Sequence, residues 1–135
     1  MTMDKHEREA LDRWLTTEPD IDLAFSIFDN VALIDKWIDD GTSVAFKADE
    51  VLALFGRVAK VSEECGEVMQ ALIGYTGQNP RKGISHTMDD IRKELADVIL
   101  TALCAIQHTT KDSEHTMAIV LAKIAYVMER AGLNQ

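Results

Sequence analysis

Between Leu95 and Ile106 the sequence reads Leu-Ala-Asp-Val-Ile-Leu-Thr-Ala-Leu-Cys-Ala-Ile, with Asp97 as its one charged residue. As a helix, this segment is apolar on nearly every side, which is typical of a helix that other helices enclose. An unpaired carboxylate is costly to bury, so Asp97 needs a compensating partner in such surroundings. The segment therefore predicts a central helix on which a positively charged partner neutralises the carboxylate of Asp97.

The flanking sequence predicts further helices, because apolar residues recur at steps of three and four. The helix with Asp97 opens at a capping box, Thr87–Asp90, and runs to about Thr109. The other helices are expected at about Asp4–Leu15, from Thr17–Asp20 to Gly41, at Ala48–Tyr75, and from Asp112 or Ser113 to Gly132. A loop rich in glycine, Gly74–His86, separates the two longest apolar patterns. The fold class is all-α: a helical bundle of four main helices and a short leading one, forming a single domain at 1–135.

The composition narrows the class of protein. The formal net charge is -9, which argues against a general nucleic-acid binder, because that function depends on phosphate neutralisation by Lys and Arg. The charged amino terminus predicts no secretory signal, and no apolar run is long enough to cross a bilayer. Cys65 and Cys104 are expected to pack as small buried hydrophobes, and the chain has no CxxC motif. We therefore expect a cytoplasmic protein without a membrane partner.

Five of the acidic residues on two consecutive predicted helices are candidate ligands of a cation. Glu63, Glu64 and Glu67 lie on the first, and Glu94 and Asp97 on the second. The spacing of three residues places Glu64 beside Glu67 and Glu94 beside Asp97, and such like-charged pairs repel unless a cation lies between them. The pairs can face each other across an antiparallel hairpin. Carboxylates without histidine or thiolate suit a hard cation such as magnesium or manganese.

A surface role for these acids stays open at this point. Acidic helices are often solvated, and Glu63 with Lys60, or Lys93 with Asp97, could form ordinary surface pairs. A di-iron site is set aside, because such bundles use Glu-x-x-His and no histidine here follows a glutamate at that spacing.

The two acidic motifs resemble a known signature. Glu63-Glu-Cys-Gly-Glu67 followed by Glu94-Leu-Ala-Asp97 is similar to the EExxE…ExxD pattern of the MazG-like all-α NTP pyrophosphatase superfamily. The loop between them and the segment after Asp97 look like those of a bacterial and phage MazG-like subgroup. The resemblance covers about Ala59–Leu103, whereas residues before Lys47 match no pattern.

The resemblance implies a helical bundle that assembles as a homodimer or homotetramer. Members hydrolyse (d)NTPs to (d)NMP and pyrophosphate, often clearing noncanonical or surplus nucleotides. The four magnesium ligands of the family correspond to Glu64, Glu67, Glu94 and Asp97, and manganese is a conceivable substitute. Glu63 matches a residue that in some members binds another metal or activates water, so Glu63 and Glu64 are the expected catalytic residues.

Several residues are candidates for contacts with the phosphates. Arg81 and Lys82 in the loop and Lys123 on the last helix are cations that could bind β and γ phosphates. The alternative for each is a solvated surface cation. Asn79 could contact a base edge or serve the turn.

An aromatic side chain is expected to stack on the base, and Trp37 is the first candidate. Three further aromatic residues are candidates, although core packing is the commoner fate of such residues: Trp14, Phe25 and Phe28.

Two other classes of protein compete with the enzyme. One is a helical regulator that binds nucleotide or metal without turnover, and the other is a purely structural bundle with an acidic surface. The structural bundle predicts no magnesium effect on thermal stability, whereas a site of repelling carboxylates gains stability when metal binds the folded state.

Overall fold

The computed structural model describes residues 3–17 and 21–133, and in that part of the chain all regular structure is α-helical. There are six helices in the described residues: α1 Lys5–Thr17, α2 Ile21–Gly41, α3 Val44–Ala48, α4 Glu50–Thr76, α5 Met88–Thr110 and α6 Ser113–Arg130. The all-α prediction is confirmed. None of these helices is both long enough and apolar enough to span a bilayer.

Side-chain and backbone caps fix the bounds of the long helices. The Asp49 carboxylate accepts hydrogen bonds from the first amides of α4, and Gly77 ends that helix in the left-handed conformation at φ 66°. The capping box of α5 is present as predicted, with Thr87 and Asp90 each accepting from the other's backbone amide. Asp112 caps α6 in the same way as Asp49 caps α4. These caps satisfy amides that the helices leave unpaired.

The helix count differs from the prediction in one place. α3, with five residues, was not predicted, because a helix of that length shows no apolar period and Ser43 provides no side-chain cap. The predicted start at Thr17–Asp20 falls largely outside the described residues.

The bundle has two packed regions that α2 connects. α1 and α6 form a small core, which the side chains of Ala10, Leu11, Met117, Ala118 and Leu121 fill. Phe25 and Phe28 of α2 pack against this core, so the structure gives them a packing role. The other region is the hairpin of α4 and α5, against which α2 also packs.

The register of the hairpin is antiparallel. Near the loop, the Ser85 amide donates to the Gly74 carbonyl at 2.9 Å. Further along, Glu64 of α4 approaches Glu94 and Asp97 of α5. Moving away from the loop on α4 therefore corresponds to moving towards the end of α5, which brings the two acidic motifs together as predicted.

The prediction that other helices enclose α5 is wrong: within the single chain, part of α5 is exposed. Asp97 is exposed, and 62% of the surface of Ile99 is exposed to solvent. The composition of a helix shows that a surface is apolar, but not whether the same chain covers it. Cys104 is buried as predicted, whereas Cys65 is exposed, so that part of the cysteine prediction is wrong.

Candidate metal centre and adjoining cavity

Three of the predicted metal ligands lie together between α4 and α5. Oxygens of Glu64, Glu94 and Asp97 all lie within 4.8 Å of one another. Glu64 is buried, Glu94 is half-buried and Asp97 is exposed, so the group opens from the interior of the hairpin towards solvent. Helical spacing explains the arrangement, because residues three apart on α5 share one face.

Glu67 is not among the three residues whose oxygens lie within 4.8 Å of one another, but it lies close enough to Glu64 and Glu94 for both to affect its pKa. The negative charge of Glu64 is the largest influence that raises the pKa of Glu67, followed by desolvation and by the charge and hydrogen bonding of Glu94. Glu67 is one turn from Glu64 on α4, on the side facing α5. We call Glu64, Glu67, Glu94 and Asp97 the carboxylate cluster.

Lys60 is the cation that contacts the carboxylate cluster. Its Nζ lies 2.8 Å from Glu64 Oε1 and 3.2 Å from Glu63 Oε2, and hydrogen bonds to these two glutamates raise the pKa of Lys60. Within residues 3–17 and 21–133 no other cation forms an ion pair with the cluster. The sequence suggested Lys60 only as a surface partner of Glu63, although its spacing of four from Glu64 was visible.

The donor set of the carboxylate cluster fits a hard divalent cation. All donors are carboxylate oxygens, which calcium, magnesium and manganese prefer, and no imidazole or thiolate competes among them. Among the described residues one lysine faces four carboxylates, so these residues do not supply enough counter-charge to balance the group. A divalent cation would supply it.

A largely apolar cavity of about 660 Å³ adjoins the carboxylate cluster. Trp37 and Phe46 contribute aromatic rings to its wall, and Lys60 and Thr101 form the part nearest the acids. Lys60 precedes Glu64 by four residues and Thr101 follows Asp97 by four, so the cavity begins about 6 Å from the carboxylates along both helices. The four acids themselves do not line the cavity, whose wall ends about one helical turn from them.

One wall of the cavity depends on a close approach between α3 and α4. A Cβ placed on Gly56 would lie 2.8 Å from Cε1 of Phe46. Glycine at 56 thus lets the Phe46 ring rest directly on the α4 backbone.

A comparison of the sequence with models of known protein families identifies the family of the chain. The family model described as the MazG nucleotide pyrophosphohydrolase domain matches residues 57–130. The chain belongs to this family. No curated protein and no solved structure matches the chain significantly. The matched residues of the MazG domain contain the whole carboxylate cluster, whereas Trp37, Phe46 and Gly56 precede them.

A second acidic group lies where α2 packs against the hairpin, further from the loop than the carboxylate cluster. Asp35, Asp39 and His108 also place ligand atoms within 4.8 Å of one another. Arg57 Nη2 lies 3.0 Å from Asp35 Oδ1 and 2.8 Å from Asp39 Oδ1, and Lys111 Nζ lies 3.8 Å from Asp39 Oδ2. We call these five residues the arginine network.

The arginine network is less suited to a metal than the carboxylate cluster. Arg57 already occupies the space between the two aspartates and would repel a divalent cation there. Desolvation raises the pKa of Asp35, and the charge of Arg57 partly offsets this effect. Asp35 Oδ1 is close to Arg57 but accepts no hydrogen bond of good geometry. The sequence prediction missed this network, although Asp35 and Asp39 lie four residues apart on the apolar α2.

Four residues predicted to bind substrate make no hydrogen bond or ion pair with the carboxylate cluster in the described part of the chain. Arg81 and Lys82 are exposed in the loop, where neither forms an ion pair with the cluster in the described part of the chain. Asn79 Oδ1 accepts from the Arg81 amide at 3.1 Å, which is a turn role. Lys123 lies on α6, with its Nζ 5.4 Å from the centroid of the Tyr126 ring.

The aromatic candidates differ in their surroundings. Trp37 lines the cavity and keeps 74% of its surface exposed, so its indole is available for stacking. Phe46 lines the same cavity and was not predicted, because α3 was not recognised. The side chain of Trp14 lies outside the described residues.

Proposed function

We propose that this chain is a magnesium-dependent nucleoside triphosphate pyrophosphohydrolase, which converts (d)NTP and water to (d)NMP and pyrophosphate. The observation that carries the proposal is the carboxylate cluster, assembled from the two acidic motifs one helical turn from an apolar cavity. Membership of the MazG family supports a nucleotide substrate, and the cluster supports a hard cation.

In this proposal the carboxylate cluster holds magnesium. Its four members present oxygens from facing helices, so the cation position is fixed by rigid backbone. Magnesium in this position would neutralise charge on the triphosphate and orient the α-phosphorus for attack by water. Manganese, which also prefers oxygen ligands, is the expected substitute.

Glu63 and Glu64 of α4 are the proposed catalytic residues: Glu64 as a ligand of the metal, and Glu63 as the group that accepts a proton. Glu63 keeps 60% of its side chain exposed, so water can reach its carboxylate, and it lies next to Glu64. A carboxylate in this position can accept the proton of the attacking water.

The cavity is the proposed site of the base. Its wall is mostly apolar, and the exposed indole of Trp37 offers a face for stacking. The triphosphate then extends past Lys60 and Thr101 towards the carboxylate cluster. Because α2 and α3 provide part of this wall, we propose that residues 1–135 function as one domain.

Pyrophosphate release from a panel of NTPs and dNTPs tests the proposal. The assay is run with magnesium or with EDTA, and the nucleotide product is identified. We expect magnesium-dependent formation of NMP and pyrophosphate from at least one nucleotide. NDP with orthophosphate would place the cleavage at another bond and contradict the proposal. Magnesium binding without any turnover would favour a regulator instead.

A further inference from the structure

Lys60 lies between the two parts of the proposed site. Its Nζ contacts the most buried member of the carboxylate cluster, since the Glu64 side chain is only 9% exposed and the two atoms lie 2.8 Å apart. The lysine also lines the cavity, together with Thr101 from the opposite helix. No other described cation contacts the cluster. Arg57 also lines the cavity, but it lies about one helical turn further from the cluster and is paired with Asp35 and Asp39.

Lys60 and a divalent cation compete for the same carboxylate. An ammonium group at 2.8 Å from Glu64 occupies an oxygen that the metal needs, and the two positive charges repel each other. The lysine is free to leave, because its side chain is 47% exposed and has a flexible four-carbon stem. The cavity is the direction in which it already has open space.

The triphosphate is the group that Lys60 can bind after it leaves Glu64. A substrate with its base in the cavity must pass Lys60 to reach the carboxylate cluster. The other candidate cations form no ion pair with the cluster in the described residues: Arg81 and Lys82 lie in the exposed loop, and Lys123 packs over Tyr126 on α6.

We propose that Lys60 is an exchangeable counter-ion: it neutralises Glu64 while no divalent cation is bound, and it binds the triphosphate once magnesium occupies the carboxylate cluster. The part of this inference in which Lys60 binds the triphosphate rests on the proposed function. The part in which Lys60 neutralises Glu64 rests only on metal binding by the cluster.

The Lys60→Met variant keeps the apolar stem of the side chain and removes its charge. If Lys60 is exchanged in this way, the variant should bind magnesium more tightly but turn over nucleotide less efficiently. Magnesium binding without nucleotide, measured by calorimetric titration, should become roughly three- to tenfold tighter because a competing cation is gone. The value of kcat/KM for the preferred nucleotide should fall roughly ten- to a hundredfold, because a charge-assisted contact to phosphate is lost. A merely structural lysine would not tighten magnesium binding.

Lys93→Met is the matched control. Lys93 precedes Glu94 on α5, is exposed, and forms no ion pair in the described residues. The Lys93→Met substitution removes one positive charge near the cluster without removing a contact. The magnesium affinity and the value of kcat/KM should therefore each change less than about twofold. Lys60→Arg, which restores the charge, should return magnesium affinity towards that of the unmodified chain.

The outcomes separate this proposal from the proposed function. Magnesium affinity that is unchanged or weaker in Lys60→Met, relative to Lys93→Met, would overturn the counter-ion role. Tighter magnesium binding with an unaltered kcat/KM would overturn the phosphate contact. If the unmodified chain releases no pyrophosphate from any nucleotide, the proposed function and the phosphate contact fail together, while the magnesium titration still decides the role of Lys60 at Glu64.

Discussion

Two groups of acidic side chains border the same helical hairpin, one between α4 and α5 and the other where α2 packs on it, and their charges are balanced in different ways. In the arginine network, Arg57 contacts both aspartates at 2.8 to 3.0 Å, and His108 and Lys111 lie within 4 Å of Asp39. In the carboxylate cluster, four acids face one lysine among the described residues, and this lysine contacts Glu64 and the neighbouring Glu63. Both groups bring three possible ligand atoms within 4.8 Å, so distance alone does not distinguish them.

The difference lies in the source of the counter-charge. The arginine network obtains it from the chain and is therefore a structural element that ties α2 to the hairpin. The carboxylate cluster has far less counter-charge from the described residues, and the negative charge of Glu64 raises the pKa of Glu67. Under the proposed function a bound cation would supply the missing charge. Removing a charge should thus harm the fold in the first group and the activity in the second.

Asp97→Ala should show the largest effect, on turnover. Loss of a metal ligand is expected to lower kcat by at least about a thousandfold, because metal stabilisation of transition-state charge supplies several kcal/mol. The free energy of unfolding should change by less than about 0.5 kcal/mol, since Asp97 is exposed. Full activity in this variant would remove Asp97 from the proposed site.

Arg57→Met should lower the free energy of unfolding by about 3 kcal/mol, because it leaves the buried carboxylate of Asp35 without its main partner. Denaturant unfolding measures this change. The control is Arg92→Met, which breaks an exposed pair with Asp89 at 3.1 Å and should cost less than about 0.5 kcal/mol. Equal costs in the two variants would show that the arginine network contributes no special stability.

Magnesium should raise the melting temperature of the unmodified chain, since binding to the folded state adds about 2.7 kcal/mol at a hundred times Kd. EDTA should reverse the shift. Glu94→Gln, in the carboxylate cluster, should reduce it strongly, whereas Asp39→Asn, in the arginine network, should retain it. A chain without any shift would be a bundle whose acids are only solvated.

The helices and the carboxylate cluster could be predicted from sequence because their signals are local. The Thr87 capping box and the apolar period around Glu64 place α4 and α5 within two residues of their observed bounds. Two acidic motifs on adjacent antiparallel helices then meet with little freedom. Lys60 was also accessible, since its partner lies four residues away.

The rest depends on contacts between distant segments. Asp35 and Arg57 are 22 residues apart and meet only because α2 packs along the hairpin. Phe46 reaches the cavity from a helix too short to show a period. The exposed face of α5 was misjudged because apolar composition does not say which chain covers it, so self-association stays a prediction.

The contact between Phe46 and Gly56 has a consequence for how such a protein can evolve. Any side chain at position 56 must displace the Phe46 ring, since even a Cβ would lie 2.8 Å from it. Such a change would reshape the cavity without altering a single carboxylate. Moreover, Phe46 and Gly56 both precede the family-matched residues 57–130. Selection can therefore alter which molecule the cavity admits while the inherited acidic motifs stay the same.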